Sequence, residues 1–168
     1  MEYGLLTTST IDRDSFRDAM SRFASAVHLV TTDGPAGRRG VTVSSACSVS
    51  DEPATLLVCL NTSSPANDRF ENNGNFAVNL LSEDSEAIAR TFAGEGQLES
   101  DARFAKGEWE VLQTGAPLLV GSLAGFDCRI LEAKIVATHR VLIGEVVAIR
   151  TGSKSPSLVY LDRTYRSL

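Results

Sequence analysis

From Val27 onward, turn-forming residues cut this chain into short β-rich runs, and helices are inserted between them at irregular intervals. Val27–Thr32 reads as a strand closed by Asp33-Gly34-Pro35. Val41–Ser50 reads as a second strand, stopped by Asp51-Glu52-Pro53, and Thr55–Leu60 as a nearly all-apolar third with both faces buried. Ser63-Ser64-Pro65 reads as the cap and first turn of a short helix reaching Asn72, and Asn73-Gly74 turns into a strand at Phe76–Leu81. The next helix is capped near Ser82, carries Ala87, Ile88, Thr91 and Phe92 near one face, and ends at Gly94. Residues 95–117 read as loop with one short strand at Trp109–Leu112, before strands resume at Ser122–Val136, Val141–Arg150 and Leu158–Leu161. Because the helices do not alternate with the strands, a doubly wound parallel sheet is disfavoured. The expected fold is mainly β with peripheral helices, an antiparallel barrel.

A single domain covering residues 1–168 is the simplest reading, with residues 1–14 as a flexible N-terminal segment. Near its start, Asp12 or Asp14 can cap an amphipathic helix that turns Phe16, Met20 and Phe23 toward the core. Sixteen Lys and Arg against 21 Asp and Glu leave a net charge of −5, which disfavours nucleic-acid and anionic-membrane binding. No apolar run is long enough for a transmembrane helix, and Met1–Asp14 lacks the basic and apolar regions of a signal peptide, so a cytoplasmic location is expected. Cys47, Cys59 and Cys128 read as reduced thiols in buried packing. With no Cys-x-x-Cys pair and only His28 and His139, no metal site is expected.

Several catalytic signatures are missing. The sequence has no phosphate-binding G-x-x-x-x-G-K-[ST] and no G-x-S-x-G elbow. Gly94-Glu95-Gly96 fails as a dinucleotide fingerprint, because Glu99 stands where its third glycine belongs. What does stand out is a run of hydroxyls: Thr42, Ser44, Ser45, Ser48 and Ser50, followed by Thr62, Ser63 and Ser64. These are either solvent-facing strand residues or a cradle for a phosphorylated ligand at a helix N-terminus. Arg38 or Arg39 would add a charge-assisted bond there. His28 reads as a solvent-side strand residue and His139 as a turn residue.

Taken in order, Phe16–Met20, Gly40–Ser50, Leu57–Asn61 with Ser63-Ser64, Asn75–Leu81, Thr138-His139, Gly144–Val146 and Leu158–Tyr160 resemble the flavin reductase family. Within it the likeness is nearest to the reductase components of 4-hydroxyphenylacetate 3-monooxygenases, and it covers about residues 15–167. The resemblance implies a Greek-key, FMN-binding split barrel that works as a homodimer. It also implies an NAD(P)H:flavin oxidoreductase that supplies reduced flavin (FMN or FAD) to a separate flavin-dependent monooxygenase, with NADH or NADPH as donor. By position, Thr42, Val43, Ser44 and Ser45 would contact the isoalloxazine ring and ribityl chain, with Ser48 on the same hydroxyl-rich run. Cys59, Leu60, Asn61, Ser63 and Ser64 would meet the ring edge and phosphate. Arg103 and Phe104 would cover the outer part of the flavin, His139 would stand beside the nicotinamide as the catalytic-site residue, and Tyr160 and Tyr165 would lie near the nucleotide.

The chain departs from the family pattern at Ala137-Thr138, where many members have Gly-Asp, and at Pro53-Ala54, where many have Pro-Pro. Hydride transfer from nicotinamide C4 to flavin N5 needs no protein nucleophile, which agrees with the absence of a triad. Two other readings of the same fold are a tight FMN-binding electron carrier and an oxidase of a vitamin-like phosphate. The second lacks the arginine and lysine concentration that a further phosphate would want.

Overall fold

A computed structural model describes residues 10–168. Helix α1 (Arg13–Met20) leads into the two-residue β1 (Ser25–Ala26), then β2 (His28–Thr32), β3 (Arg39–Val43), β4 (Ala46–Asp51) and β5 (Ala54–Asn61). A 3-10 turn and α2 (Asp68–Asn73) connect to β6 (Asn75–Leu80), which is followed by α3 (Glu86–Ala93), α4 (Ser100–Phe104), β7 (Trp109–Val111) and β8 (Pro117–Leu119). The long hairpin β9 (Ala124–Val136) and β10 (His139–Thr151) precedes β11 (Leu158–Leu161) and β12 (Thr164–Ser167).

Seven strands form one antiparallel sheet in the order β3-β2-β6-β9-β10-β5-β4. Its two edge strands, β3 and β4, are consecutive in sequence and joined only by Ser44-Ser45. A flat sheet of this size would hold its edges about 29 Å apart. The link can span only about 10 Å. The sheet therefore curls until its edges meet, although no ladder joins β3 to β4, so the barrel is not closed. The chain winds β2 to β5 in succession, crosses one end through α2, and returns as β6, β9 and β10 between β2 and β5. That is the Greek-key path expected.

The inside of the curl is filled by Val30, Val58, Leu60, Phe76, Val78 and Leu142, with Phe70 of α2 inserted among them. Phe70 and Phe76 are fully buried, each contributing about 1.5–3 kcal/mol. A second cluster lies under α3 and α4, where Phe92 packs edge-on against Phe104 and Trp109 (centroids 5.1 and 5.9 Å) and those two rings meet at a tilt (4.7 Å). Arg140 at the start of β10 fixes the crossover by pairing with Asp68 (2.6 Å) and Glu71 (3.0 Å) of α2.

Several expectations need correction. Val41–Ser50 is two strands, because the chain must turn at Ser44-Ser45 to pass from one sheet edge to the other. Thr55–Leu60 alternates between buried and half-buried residues, since its outer face has no covering layer. Residues 95–117 contain α4 and β8 as well as β7. Phe16, Met20 and Phe23 do not face the core: α1 buries none of its residues, and Phe16 is 59% exposed. Within the segment 1–14, α1 begins at Arg13, with Asp12 accepting from the Ser15 amide at 2.9 Å. Residues 1–9 lie outside the described residues. Cys47 is exposed on the outer face of an edge strand, Cys59 is half-buried, and only Cys128 is buried. His28 is half-buried rather than solvent-facing, with Nδ1 buried and without a hydrogen-bond partner among the described residues.

Candidate functional site

The link Ser44-Ser45 is where the two sheet edges meet, and the candidate site forms around it. On the β3 side, Thr42, Val43 and Ser44 line a cleft of about 220 Å³ together with Val27 and Ala93, and Tyr160 and Tyr165 complete it. Gly40 lets this wall form, because a Cβ there would lie 2.5 Å from the Phe92 ring and keep α3 off β3. The Thr42 hydroxyl then donates to the Ala89 carbonyl of α3 at 2.6 Å. Tyr160 and Tyr165 face each other across the β11–β12 hairpin, edge to face at 5.1 Å. Arg90 lies 4.8 Å over Tyr165, held by Glu86 and Glu95. Burial pushes the Tyr165 phenol above its usual range, against the pull of Arg90, so it stays a neutral hydroxyl at neutral pH.

On the β5 side, the Ser45 hydroxyl donates to the Cys59 carbonyl (2.8 Å), and the Cys59 amide donates back to the Ser45 carbonyl (3.0 Å). Burial raises the Cys59 thiol, which keeps it un-ionised. Asn61 and His139 are direct cross-strand partners. The loop after β5 is fastened to the β9–β10 turn, because both the amide and the hydroxyl of Thr62 donate to the Thr138 carbonyl (3.0 and 2.9 Å). His139 Nδ1 lies 2.9 Å from the Thr138 hydroxyl, leaving Nε2 without a partner among the described residues. The turn that presents it has Ala137 in the left-handed region (φ 52).

Arginines gather at the far end of β3. Arg39 Nε donates to Asn67 Oδ1 (3.0 Å) and Nη2 to the Ser64 hydroxyl (3.2 Å). Burial lowers the Arg39 pKa, and the neighbouring guanidiniums of Arg103 and Arg69 lower it further. Arg39, Arg69 and Arg103 form no ion pair among the described residues. Arg69 donates to the Arg38 carbonyl and Arg103 to that of Leu98. Three cations with no carboxylate among them, beside a serine hydroxyl, make a strong local attraction for an anion in a protein of net charge −5. Asn61 and Asn67 set the shape of this corner: Asn61 Oδ1 accepts from the Ser63 amide (2.8 Å), and Asn67 Nδ2 donates to the Asn61 carbonyl (2.9 Å).

Not every sequence candidate joins this arrangement. The helix after Ser64 is a 3-10 turn and then the six-residue α2, and Ser64 makes no side-chain cap, so an anion here would be held by arginines rather than by a helix dipole. The Leu60 side chain belongs to the core (1% exposed) and could meet a ligand only through its backbone. Phe104 is buried beneath α3 (3% exposed), with Arg38 lying 5.1 Å over its ring. Ser48 is exposed on β4 opposite Leu56 and shares in none of these contacts. Arg38 pairs instead with Asp33 at 3.1 Å. Arg69 was not legible from the sequence, since nothing near Asp68-Arg69-Phe70 signals that a crossover brings it beside β3. Among the described residues no group of acidic, cysteine and histidine side chains is placed to hold a metal, and no helix is long and apolar enough to cross a membrane.

Residues 20–168 match the model of the flavin reductase like domain. An FMN reductase (NADH) RutF 1 of Methylorubrum extorquens is 48% identical over 158 residues, covering 94% of this chain and 78% of that protein. A crystal structure from Haemophilus somnus 129PT, described as a flavin reductase, superposes with a TM-score of 0.89 at 41% identity, covering 94% of this chain and all of that one. Nitrilotriacetate monooxygenase component B from Mycobacterium thermoresistibile superposes with a TM-score of 0.85 at 26% identity, over 96% of this chain and 89% of that one. With the curled Greek-key sheet and the cleft at its seam, these matches place this chain in the flavin reductase family.

Proposed function

We propose that this flavin reductase uses NADH to reduce FMN and releases the reduced flavin to a separate flavin-dependent monooxygenase. The observation that carries the reading is the pairing of a ring-sized cleft at Thr42–Ser44 with the arginine cluster around Arg39 on the same strand. Val43 of the cleft lies four residues from Arg39 on the same face of β3, about 13 Å along the strand, a span that a ribityl chain and the arginine side chain together could bridge. The names of the relatives, FMN reductase (NADH) and a monooxygenase component, support the donor, the acceptor and the kind of partner.

When flavin and NADH are bound, hydride passes from nicotinamide C4 to flavin N5. In this reading the protein positions the two. Tyr160 and Tyr165 wall the cleft on one side, and Thr42, Val43 and Ser44 on the other, where they exclude water and fix the ring plane. Arg39, with Ser64 at hydrogen-bond distance, holds the phosphate, and Arg69 and Arg103 add charge without competing carboxylates. His139 Nε2, beside Asn61, is available to donate to the nicotinamide amide.

The reading includes a homodimer. The long hairpin leaves Leu131, Ile135 and Val136 of β9 exposed, an apolar surface of a kind that a second copy would cover. The deciding experiment crosses FMN and FAD with NADH and NADPH and follows loss of the nicotinamide absorbance. NADH with FMN should give the highest kcat/KM. Tight FMN binding without turnover by either nucleotide would instead favour the electron-carrier reading.

A further inference from the structure

We propose that Arg90 of α3 is a positioning residue for flavin reduction, acting through Tyr165 to hold one wall of the ring cleft, an inference that rests on the reading of that cleft as the ring site. The wall has little backbone support of its own. Tyr160 and Tyr165 belong to the small sheet β1-β11-β12, in which β12 is an edge strand paired only with β11. No ladder fixes β12 from its other side, so its distance from the wall at Thr42–Ser44 depends on side-chain contacts. Placement there matters, because a shift of about 1 Å between reacting groups can cost about a hundredfold in rate.

Arg90 supplies such a contact. Its guanidinium lies 4.8 Å from the centre of the Tyr165 ring. Nε and Nη2 donate to Glu86 Oε1 (2.8 and 2.6 Å), and Nη1 donates to Glu95 Oε1 (2.8 Å), so two carboxylates grip the group by its edges. The flat face is left for the ring, a stacking that a planar guanidinium makes and a compact ammonium does not. Glu86 comes from the first turn of α3, and Glu95 from just beyond Gly94, the left-handed residue that stops the helix. The grip therefore closes over the last turn of α3, beside Ala93, which itself lines the cleft. Tyr165 passes the contact on, meeting Tyr160 edge to face at 5.1 Å. On the other wall, the Thr42 hydroxyl ties β3 to the Ala89 carbonyl of the same helix at 2.6 Å. One helix thus sets both walls: Thr42 fixes it to β3, and Arg90 carries its position to the tyrosines.

The test is a double-mutant cycle read in kinetics and in stability. Arg90→Gln removes the cation from a side chain that is 41% exposed, so folding is not at risk. It should lower kcat about tenfold, with KM for FMN and the midpoint of urea unfolding little changed. The loss must pass through the ring. It should therefore persist when Arg90→Gln is added to Tyr165→Phe, and disappear when it is added to Tyr165→Leu, which has no ring to hold. In flavin-free protein, the Tyr165 phenol should titrate at higher pH in Arg90→Gln than in the wild type, because Arg90 opposes the upward push of burial. Tyrosinate absorbance reads this, with Tyr165→Phe identifying the signal. An unchanged kcat, an equal further loss in both tyrosine backgrounds, or an unmoved phenol would overturn the assignment. So would a fall in kcat matched by a fall in the unfolding midpoint, which would mark Arg90 as a plain stabiliser of the fold. Failure of the ring-site reading itself would show differently, as wild-type turnover in Tyr165→Leu alone.

Discussion

His139 shows how little a residue type says without its surroundings. A lone histidine in a turn gives no signal, yet the β5–β10 register sets it opposite Asn61, and two bonds from Thr62 fix the turn that presents it. His139→Ala should raise KM for NADH and lower kcat about tenfold, equivalent to about 1.4 kcal/mol, with flavin affinity little changed. Steady-state kinetics and flavin fluorescence read the two parts separately. Arg39 is the counterpart at the end proposed for the flavin phosphate. Arg39→Gln should weaken FMN binding by roughly 1–3 kcal/mol through lost charge-assisted bonds, and leave riboflavin, which has no phosphate, nearly unaffected. Equal losses for both would place the effect on the ring site or on folding. His28 carries a different consequence. Desolvation holds its pKa below the ordinary value, against a smaller opposing pull of the Ala26 backbone, and Nδ1 meets no partner within hydrogen-bond distance among the described residues. The unfolded chain therefore takes up a proton more readily, so the native state loses stability as pH falls below about 6.5. Melting temperatures from pH 7 to 5 should fall for the wild type and flatten measurably in His28→Val.

Among the elements, legibility followed local chemistry. β11 matches its expected bounds, and Gly74 and Gly94 end their helices in left-handed backbone where turns were expected. Runs with a clear period and a glycine stop could be read because the signal lies within a few residues. β12 was missed because its hairpin turns on Asp162-Arg163, both at positive φ, with no glycine to announce it. The break in Val41–Ser50 was missed because it serves sheet closure, a demand made by strands distant in sequence. The exposed face of α1 was misread for a related reason: amphipathicity tells which face is apolar and not what that face meets. Gly144 on β10 is a test at this scale. A Cβ there would lie 2.5 Å from the fully buried Phe76 ring and 3.0 Å from Cys128, beside a register shift in the ladder. Gly144→Ala should destabilise the fold by about 1–3 kcal/mol, measured by urea unfolding, without altering the ratio of NADH to FMN affinity.

For the whole molecule, the fold class and the family likeness were readable over nearly the entire chain, and the arrangement of charge was not. A net charge of −5 conceals a local group of three arginines without ion pairs among the described residues, assembled from a strand, a crossover helix and the distant helix α4. The exposed apolar end of β9 predicts a particle of twice 18.0 kDa in light scattering. Leu131→Glu should shift it toward the monomer.

The meeting of β3 and β4 without a shared ladder resembles a wristband whose ends touch but are not sewn. Amides flanking Ser44-Ser45 should therefore exchange their hydrogens with solvent sooner than those in the centre of β9 and β10, because opening the gap breaks no ladder. A ligand seated across the gap would be its clasp. Saturating FMN, at a hundred times its dissociation constant, should slow exchange there and add about 2.7 kcal/mol to the stability of the whole domain. Flavin occupancy would then govern how long the protein survives as well as how fast it turns over.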